Sequence, residues 1–436
     1  MRSLAKSRRL KRMQVVTVSL LVIICFVNYL DRSTLSVANP LIRKELGLSP
    51  GEMGILLGAF AWSYALAQVP LGPVIDRFGP RMLLGLGLIA WSAAQDLAGL
   101  AGSFAQMFWL RTALGVGESP TIPCAAKACR SWFNVRERGT PMGLFMGANN
   151  LGQAISPPVI TLMMLWAGWR FPFVVLGVAG LVVAGLWYAI YRDAETTRLE
   201  PADREFLTEG DQGITVQRLD FAQWRQLLKY RTAWGMIIGF GCWGYFDNMF
   251  RAWLPGYLEM ERHLTIGTTG WAAMIPFTCS VLGSVTGGLT MDMLIKRFQF
   301  TPSGSARLVI VLGIGLDAFF IMLGALAGDV VTAVACISVA MWVGHMGSGC
   351  AWTLVTTSVP RNAVGSVGGL QNCAAYLGGA ASPIVTGFSV ELTGSFVLAL
   401  LIGAGFGAVS ALAYWVLAAR PIPPEDFGGA TAAPEG

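Results

Sequence analysis

The chain has 436 residues, of which 54% are hydrophobic and 13% are charged, and its formal net charge is +6. A soluble domain carries about 25% charged residues, so this composition excludes an ordinary soluble protein and indicates one that lies in lipid. Apolar runs long enough to cross about 30 Å of hydrocarbon recur along the chain, and in lipid such runs must be helices.

The apolar runs predict an all-α membrane protein with about twelve spanning helices. In chain order they lie near residues 14–39, 51–75, 80–101, 104–129, 138–166, 169–191, 232–257, 267–291, 305–327, 329–353, 362–389 and 395–417. One long polar stretch separates the sixth and seventh helices. The predicted domains are an N-terminal six-helix bundle (1–191), a cytoplasmic linker (192–231), a C-terminal six-helix bundle (232–417) and a cytoplasmic tail (418–436).

The positions of the positive charges predict the orientation of the chain. Most of its 31 Lys and Arg residues fall on one predicted side of the membrane. The loops on the other side carry only Arg43, Lys44, Arg170 and Arg262. Because cytoplasmic loops are enriched in Lys and Arg, we expect both termini to be cytoplasmic and the protein to cross the inner (plasma) membrane many times. The start has no predicted cleavage site, so the first helix is expected to remain in the mature protein.

An internal repeat supports the division into two halves. The pattern L-G-x-A-x-S-P-x-V runs from Leu151 to Val159 and recurs from Leu377 to Val385. The fifth and eleventh predicted helices are therefore counterparts. Parallel halves of this kind predict rocking-type alternating access, with a substrate site near the midplane between them.

The connection between the second and third predicted helices reads G-P-V-I-D-R-F-G-P-R. Gly72 and Gly79 belong to this pattern, and Gly72 permits close helix approach. Asp76 is expected to pair across helices and to cap the next helix, whereas Arg77 and Arg81 are expected to stay in cytoplasmic water.

This pattern resembles the signature of the major facilitator superfamily, and Asp292 with Lys296 and Arg297 forms a degraded echo of it in the second half. The resemblance implies a latch that holds the outward-facing state. The alternative interpretation is an ordinary polar turn that carries cytoplasmic positive charges.

Charged residues within the spans are the strongest functional signal, because each costs a few kcal/mol at the bilayer centre unless it is paired or functional. Asp31 and Arg32 interrupt the first helix, and Arg111 and Glu118 share one face of the fourth. Arginine stays charged and matches a carboxylate, whereas desolvation favours the protonated form of a buried carboxyl. We therefore expect these four side chains to share one pocket, in which the arginines bind an anion and the carboxyls bind protons. Structural ion pairs between helices are the alternative.

Five segments resemble the anion:cation symporter family within that superfamily. This family includes bacterial galactonate, hexuronate, glucarate and tartrate carriers and the vesicular glutamate and sialic acid carriers. The match falls on the buried charges themselves. The segments are NYLDRSTLSVA (28–38), YALAQVP (64–70), RTALGVGESPTIP (111–123), WFNVRERG (132–139) and GGLQN (368–372).

The resemblance implies that Asp31 and Glu118 are protonation sites, and that Arg32 and Arg111 are substrate or gating groups. It also implies further residues that line a sugar-acid cavity. Helix packing is an equally good interpretation of these, since aromatic and amide side chains also fill bundle interiors. They are Tyr29, Tyr64, Asn149, Trp352 and Asn372.

The chain departs from the family pattern at two places. Sugar-acid carriers usually have Gln where this chain has Asn149, and the seventh helix carries Asp247 and Arg251 where the pattern tends to be uncharged. Spaced four residues apart, these two can simply neutralise each other. Alternatively, Arg251 meets a second carboxylate on the substrate, which favours a diacid.

Other polar residues are given structural interpretations. We expect His345 to be a neutral histidine bonded within the bundle, and Asp317 to have no role beyond structure. No Cys and His cluster with metal-ligand spacing is present in the sequence, so neither a metal nor a cofactor is expected.

These observations predict a secondary active transporter, not an enzyme. It is expected to be a monomeric, proton-coupled symporter that takes up a small organic anion such as a sugar acid or dicarboxylate. The predicted partners are the anion, protons and membrane lipid, and nothing supports nucleic-acid binding. The alternative is a proton-coupled antiporter that exports an organic anion or drug, although the fifth helix lacks the G-x-x-x-G-P-x-x-G-G pattern common in such antiporters.

Overall fold

A computed structural model describes residues 6–68, 70–135, 137–208, 225–360 and 362–423. Within these ranges, it does not describe the surroundings of Gly72, Pro73 and Asp76. All regular secondary structure in those ranges is helical, as predicted. The chain forms two compact units. Unit 1 comprises Met1–Leu48 and Ile55–Ile214, and unit 2 comprises Ser49–Gly54 and Thr215–Gly436.

The helices from the first half of the chain begin with the longest one. Their bounds are α1 (Arg8–Leu46), α2 (Pro50–Gln68), α3 (Leu71–Ala98), α4 (Phe104–Glu118), α5 (Thr121–Trp132), α6 (Gly139–Ala167), α7 (Arg170–Ile190) and α8 (Pro201–Thr208). A core of apolar side chains from α1, α3, α4, α5, α6 and α7 holds unit 1 together. The charged residues of the first and fourth predicted helices therefore come from α1 and α4 of one unit.

The structure corrects the predicted helices 51–75 and 80–101. α2 ends at Gln68, and α3 begins at Leu71 and runs through Gly79 to Ala98. Gly79 has φ 76° and ψ 163°, which a residue with a Cβ rarely adopts, and Pro80 follows it. The predicted turn between two helices is therefore a kink inside α3, and the chain interrupts its helix earlier, before Leu71.

The predicted helix 104–129 is also divided. α4 ends at Glu118, and α5 begins at Thr121 after Pro120. Proline has no N–H to continue the helical hydrogen-bond ladder, which explains the interruption. The interruption makes Glu118 the last residue of α4, next to the two residues that separate α4 from α5.

Part of the predicted linker packs on unit 1. α8 is a short amphipathic helix whose Phe206 and Leu207 contact the unit 1 core. Its Asp203 is buried and accepts hydrogen bonds from the backbone N–H and the hydroxyl of Ser7, at 3.0 and 2.5 Å. The sequence did not predict this helix, because eight mostly polar residues carry too weak a periodic signal.

The second half of the chain forms the helices of unit 2, which have their own apolar core. Their bounds are α9 (Arg231–Met260), α10 (Ile266–Phe298), α11 (Pro302–Leu326), α12 (Val330–Ser358), α13 (Val364–Thr393) and α14 (Val397–Val416). Within the described residues, seven helices are long and apolar enough to cross a bilayer, namely α1, α7, α10, α11, α12, α13 and α14.

The repeated L-G-x-A-x-S-P-x-V segment adopts the same local structure in α6 and α13. A proline inside a helix leaves the carbonyl four residues earlier without its N–H partner. The serine just before each proline donates its hydroxyl to that carbonyl: Ser156 to Gln153 O at 3.1 Å, and Ser382 to Gly379 O at 3.3 Å. Both helices continue through their prolines.

The glycine of each repeat also has the same packing role. Gly152 brings α6 against α1, where an added Cβ would lie 2.9 Å from Cβ of Tyr29. Gly378 brings α13 against α9, where an added Cβ would lie 3.1 Å from the backbone nitrogen of Tyr245. The sequence repeat thus corresponds to two equivalent helix pairs, one in each unit.

Candidate functional site

Three of the four predicted buried charges of unit 1 are joined by direct contacts. Nε of Arg32 lies 2.6 Å from Oε2 of Glu118, which links α1 to the end of α4. Nη2 of Arg111 donates to the backbone carbonyl of Arg32 at 3.5 Å. Asp31 follows on α1 and interacts electrostatically with both Glu118 and Arg111. The predicted clustering of these four side chains is therefore observed.

Small residues in α4 allow this cluster to form. An added Cβ on Gly117 would lie 2.8 Å from the backbone nitrogen of Trp91 in α3, and Gly115 packs equally closely on α2 at Phe60. α4 therefore approaches both helices at backbone distance. The G-V-G sequence before Glu118 thus positions its carboxyl deep in unit 1, where it is 0% exposed.

Aromatic rings surround the guanidinium of Arg32. Its central carbon lies 5.1 Å from the ring centroid of Tyr29, 4.8 Å from that of Phe60 and 4.9 Å from that of Tyr64. Such cation–π contacts stabilise a partly desolvated cation. Phe60 was not predicted as a site residue, although it lies four residues before Tyr64 and hence on the same face of α2.

The cluster contains polar atoms that have no hydrogen-bond partner among the described residues. These atoms are both carboxyl oxygens of Asp31, Nε and Nη1 of Arg111, and Oε1 of Glu118. Asp31 is 0% exposed and Arg111 is 3% exposed. The nearby Trp91 interacts with Asp31, but its indole N–H does not reach hydrogen-bond geometry. Leaving such groups unpaired is costly, which points to a role in binding an ion or proton.

The other predicted site residues of unit 1 lie on α1, α2 and α6. Tyr29 is half-buried on α1, and Tyr64 is fully buried on α2. Asn149 is half-buried on α6, one turn before the Gly152 contact with α1. Tyr29 and Tyr64 contact Arg32, and Asn149 lies one turn from the glycine that packs on Tyr29.

In unit 2, Arg251 and Asp247 form an ion pair on α9, with Nε 2.5 Å from Oδ2. Trp352 on α12 is 45% exposed, and its ring contacts Phe240 edge-to-face at 6.0 Å. Asn372 is half-buried on α13. The ion pair matches the first of the two interpretations of the Asp247 and Arg251 spacing.

The residues of the predicted latch have varied surroundings. Arg77 is exposed, and Asp292 is exposed and pairs with Lys296 at 3.4 Å. Gly72 and Asp76 lie in the first turns of α3, and their surroundings fall outside what the structure describes. The latch role of these residues stays a prediction.

The expectation that Arg81 stays in water is wrong. Arg81 is half-buried, and its guanidinium donates to the carbonyl of Tyr188 at 2.9 Å. Its backbone N–H donates to Asp193 at 3.2 Å, and its carbonyl accepts from the indole of Trp187 at 2.9 Å. Arg81 therefore ties the kink of α3 to the end of α7, because the backbone groups freed at Gly79 and Pro80 need partners.

Asp193, which the sequence did not single out, carries a charge in this half-buried contact. Burial raises the pKa of Asp193, although the N–H of Arg81 opposes this shift. A raised pKa in the folded state means that its stabilising contribution is present at low pH and is lost as the pH rises through that pKa. The charged carboxylate is therefore a cost at neutral pH.

Asp193→Asn is expected to remove this cost while keeping an oxygen that accepts from Arg81. Above the usual aspartate range, the unfolding temperature of the purified variant should exceed that of the native protein by about 1–2 °C. The two should converge in acid, where the native carboxyl is protonated. Thermal unfolding across a pH series measures this, with Glu205→Gln on the exposed face of α8 as the control. Parallel pH profiles for Asp193→Asn and native protein would contradict the assignment.

A comparison with protein-family models identifies the family. The model described as Major Facilitator Superfamily matches residues 21–383, which include most of both units. The chain belongs to the major facilitator superfamily. It is therefore a multi-pass membrane transport protein and not an enzyme. Among the described residues, no group of three or more His, Cys, Asp or Glu side chains could hold a metal ion.

Curated relatives match nearly the whole length of the chain. It is 41% identical to the probable L-galactonate transporter of Escherichia coli, covering 96% of this chain and 92% of that protein. It is 31% identical to the probable galactarate/D-glucarate transporter of E. coli, covering 87% and 88%. It is 28% identical to the hexuronate transporter of Bacillus subtilis, covering 91% and 92%. The resemblance to sugar-acid carriers of the anion:cation symporter family is thus confirmed.

Solved structures share the fold. A bacterial homologue of the human lysosomal transporter Spinster superposes with a TM-score of 0.79 at 16% identity, covering 95% of this chain and 98% of that one. The D-xylose-proton symporter superposes with a TM-score of 0.71 at 14% identity, covering 93% and 98%. At these identities, the likeness concerns the fold alone.

Proposed function

We propose that this transporter is a proton-coupled symporter that takes up a sugar acid or related small organic anion by alternating access. In this proposal, about twelve spans form an N-terminal bundle (1–191) and a C-terminal bundle (232–417), joined by a cytoplasmic linker (192–231). Both termini, including the tail 418–436, face the cytoplasm of a bacterial-type inner membrane. The transported species are the anion and protons.

The observation that carries this proposal is the state of Arg111. Its guanidinium is 3% exposed, and Nε and Nη1 have no partner among the described residues. A buried guanidinium is stable when its donors are satisfied, and a carboxylate satisfies two of them at once. Arg111 therefore supports binding of an organic anion within unit 1.

The neighbouring carboxyls support proton coupling. Asp31 and Glu118 are both 0% exposed and interact with the same arginines. An anion bound at Arg111 competes with these carboxyls for the positive charge, so it makes each of them hold a proton more tightly. This reciprocal coupling lets proton entry drive anion uptake.

Arg32, unlike Arg111, contacts both a carboxyl and aromatic rings. Because its Nε is bound to Glu118, it connects the proton site directly to the aromatic cluster of Tyr29 and Tyr64. Protonation of Glu118 removes the charge that holds Arg32. In our proposal, Arg32 then turns to the anion, while the two tyrosines and Asn149 contact its hydroxyl groups.

The choice of substrate class rests on the relatives and on unit 2. The matched relatives are named as carriers of galactonate, of galactarate and glucarate, and of hexuronate, all of which are sugar acids. In unit 2, Trp352 and Asn372 are proposed to contact the sugar chain. Arg251 is proposed to meet a second carboxylate, which would extend the range to diacids.

Uptake assays in proteoliposomes test the proposal. Labelled L-galactonate and galactarate are expected to accumulate when the outer medium is made more acidic, and to exchange in counterflow without a gradient. Arg251→Ala should lower galactarate uptake by about 10-fold or more, with a smaller effect on L-galactonate, because only the diacid has a second carboxylate.

Two outcomes would contradict these statements. Efflux driven by an inward proton gradient, without uptake, would support the antiport alternative. Equal losses of both acids in Arg251→Ala would show that Arg251 has a general role. Arg170→Ala serves as the control, because this arginine is the first residue of α7, pairs with Glu45 and has a side chain that is 38% exposed.

A further inference from the structure

Unit 2 contains an ionisable cluster that the sequence did not predict. Oδ1 of Asp247 on α9 lies 3.3 Å from Nε2 of His345 on α12, while Oδ2 of the same carboxyl is held by Arg251. Asp247 and His345 are only 5% and 6% exposed. One carboxylate therefore lies between a guanidinium and an imidazole in the interior of unit 2.

The hydrogen bonds of His345 determine where its protons can be. Nδ1 lies 2.9 Å from the backbone carbonyl of Met341, and a carbonyl only accepts, so Nδ1 carries a hydrogen. In a neutral ring, Nε2 would then be a bare acceptor facing the carboxylate of Asp247. Two acceptors at this distance repel each other, whereas an N–H on Nε2 makes the contact attractive. The ring of Trp243 also contacts the imidazole edge-to-face, with centroids 5.7 Å apart.

A second carboxyl lies close to this pair. Asp317 on α11 is 0% exposed, and neither of its oxygens has a hydrogen-bond partner among the described residues. It packs on Gly344, the residue before His345, where an added Cβ would lie 2.8 Å from its Oδ2. It also interacts electrostatically with Asp247.

The other charged side chains on the described helices of unit 2 lie near helix ends. α9 carries Arg231 in its first turn and Glu259 in its last, and α11 carries Arg307 near its start. α10 carries charges only near its end, at Asp292, Lys296 and Arg297, and α13 only at Glu391 in its last turn. α14 has none, and its titratable Tyr414 is a neutral phenol. The charge state of His345 therefore depends on Asp247, Arg251 and Asp317.

We propose that His345 is an imidazolium bound to Asp247, and that with Arg251 this pair forms a second anion–proton coupling centre, in unit 2. The inference rests on the proposed function of the protein as a symporter. Arg251 is 28% exposed in its side chain, so an entering anion can take it from Asp247. Asp247 then binds the imidazolium of His345 more tightly, so that binding of the anion stabilises binding of the proton.

The proton balance of this centre is simple. One proton from the water on the side of entry binds Nε2 of His345, and no other bond forms. When the anion leaves, Arg251 returns to Asp247, and the hold of Asp247 on the imidazolium weakens. The N–H bond then breaks more readily than in the anion-bound state, and the proton passes to the water on the opposite side, where the pH is higher.

Nitrogen NMR tests the charge state without any substrate. The chain has two histidines, so ¹⁵N-histidine labelling gives few signals, and His263→Gln identifies those of His345. We expect both ring nitrogens of His345 to be protonated near neutral pH. In Asp247→Asn, the amide can donate to Nε2, so its signal should move to that of an unprotonated nitrogen. An unprotonated Nε2 in the native protein near neutral pH would overturn the proposal.

Transport measurements test the coupling role. His345→Gln keeps a donor toward Asp247 but cannot take up a proton. We expect it to retain galactarate counterflow while losing about 5-fold or more of proton-driven accumulation, and to carry fewer protons per anion. His263→Gln should behave as the native protein. An unchanged proton-to-anion ratio in His345→Gln would overturn the coupling role.

The two experiments separate this inference from the proposed function. If the native protein carries neither L-galactonate nor galactarate, the proposed function fails, and the NMR result still decides the charge state of His345. If His345→Gln loses counterflow together with accumulation, the role is structural and the coupling centre is rejected. Monodisperse elution and an unchanged unfolding temperature of the variant identify cases in which folding alone has failed.

Discussion

Glu118→Gln is expected to abolish proton-driven accumulation of the acid while leaving counterflow measurable. Glutamine has the same volume as glutamate and keeps an oxygen that accepts from Nε of Arg32, which lies 2.6 Å away in the native protein. It cannot bind a proton, so the coupling free energy between proton and anion is lost. We expect accumulation under an inward proton gradient to fall by about 10-fold or more.

The measurement compares uptake with and without a proton gradient in the same proteoliposomes. Counterflow reports whether anion binding and the conformational cycle survive, and the gradient-driven component reports coupling. Glu205→Gln, on the exposed face of α8, is the matched control. Accumulation at the native level in Glu118→Gln would show that this carboxyl is not an essential coupling site.

The sequence predicted the unit 1 cluster because its members are constrained by helical geometry. Arg111 and Glu118 are two turns apart on one helix, and Asp31 and Arg32 are adjacent in another. Charges this costly in lipid are expected to meet, so their proximity followed from few assumptions. The hydrogen-bond partners did not follow, because whether Arg32 or Arg111 binds Glu118 depends on how closely α4 approaches its neighbours.

Helix boundaries could be predicted where the length of an apolar run determines them. The prediction failed where a proline determines whether the helix ends. Pro120 accompanies an interruption between α4 and α5, whereas Pro157 and Pro383 lie inside continuous helices. The serine before each of these prolines donates its hydroxyl to the carbonyl that the proline frees, Ser119 to Val116 O at 2.8 Å as well as Ser156 and Ser382, so this hydrogen bond does not decide whether the helix continues. The order S-P appears at all three sites, so the sequence motif alone could not distinguish them.

His345 and Asp317 were given structural interpretations because each is a single polar residue on its own helix. No spacing within α11 or α12 connects them, and only the packing of these helices with α9 brings them toward Asp247. Contacts between separate helices of this kind carry no periodic signal in the sequence. The unit 2 cluster could therefore be recognised only from the structure.

Arg111→Lys is expected to weaken anion binding by about 10- to 100-fold, since one or more charge-assisted hydrogen bonds are lost. Lysine keeps the positive charge but presents a point charge on a flexible stem, so it cannot offer two fixed donors to one carboxylate. In the native protein, Nε and Nη1 are buried and have no protein partner among the described residues, which leaves donors on two edges of the guanidinium to the substrate.

Equilibrium binding of labelled L-galactonate to purified protein measures this effect apart from transport. Arg170→Lys is the matched control, because that arginine is 38% exposed and binds Glu45 at 2.7 Å. If Arg111 only pairs with its carboxyl neighbours, Arg111→Lys will bind the acid with native affinity and mainly unfold at lower temperature. The ratio of the two effects thus distinguishes an anion-binding arginine from a structural one, because only the former loses affinity in a protein that stays folded.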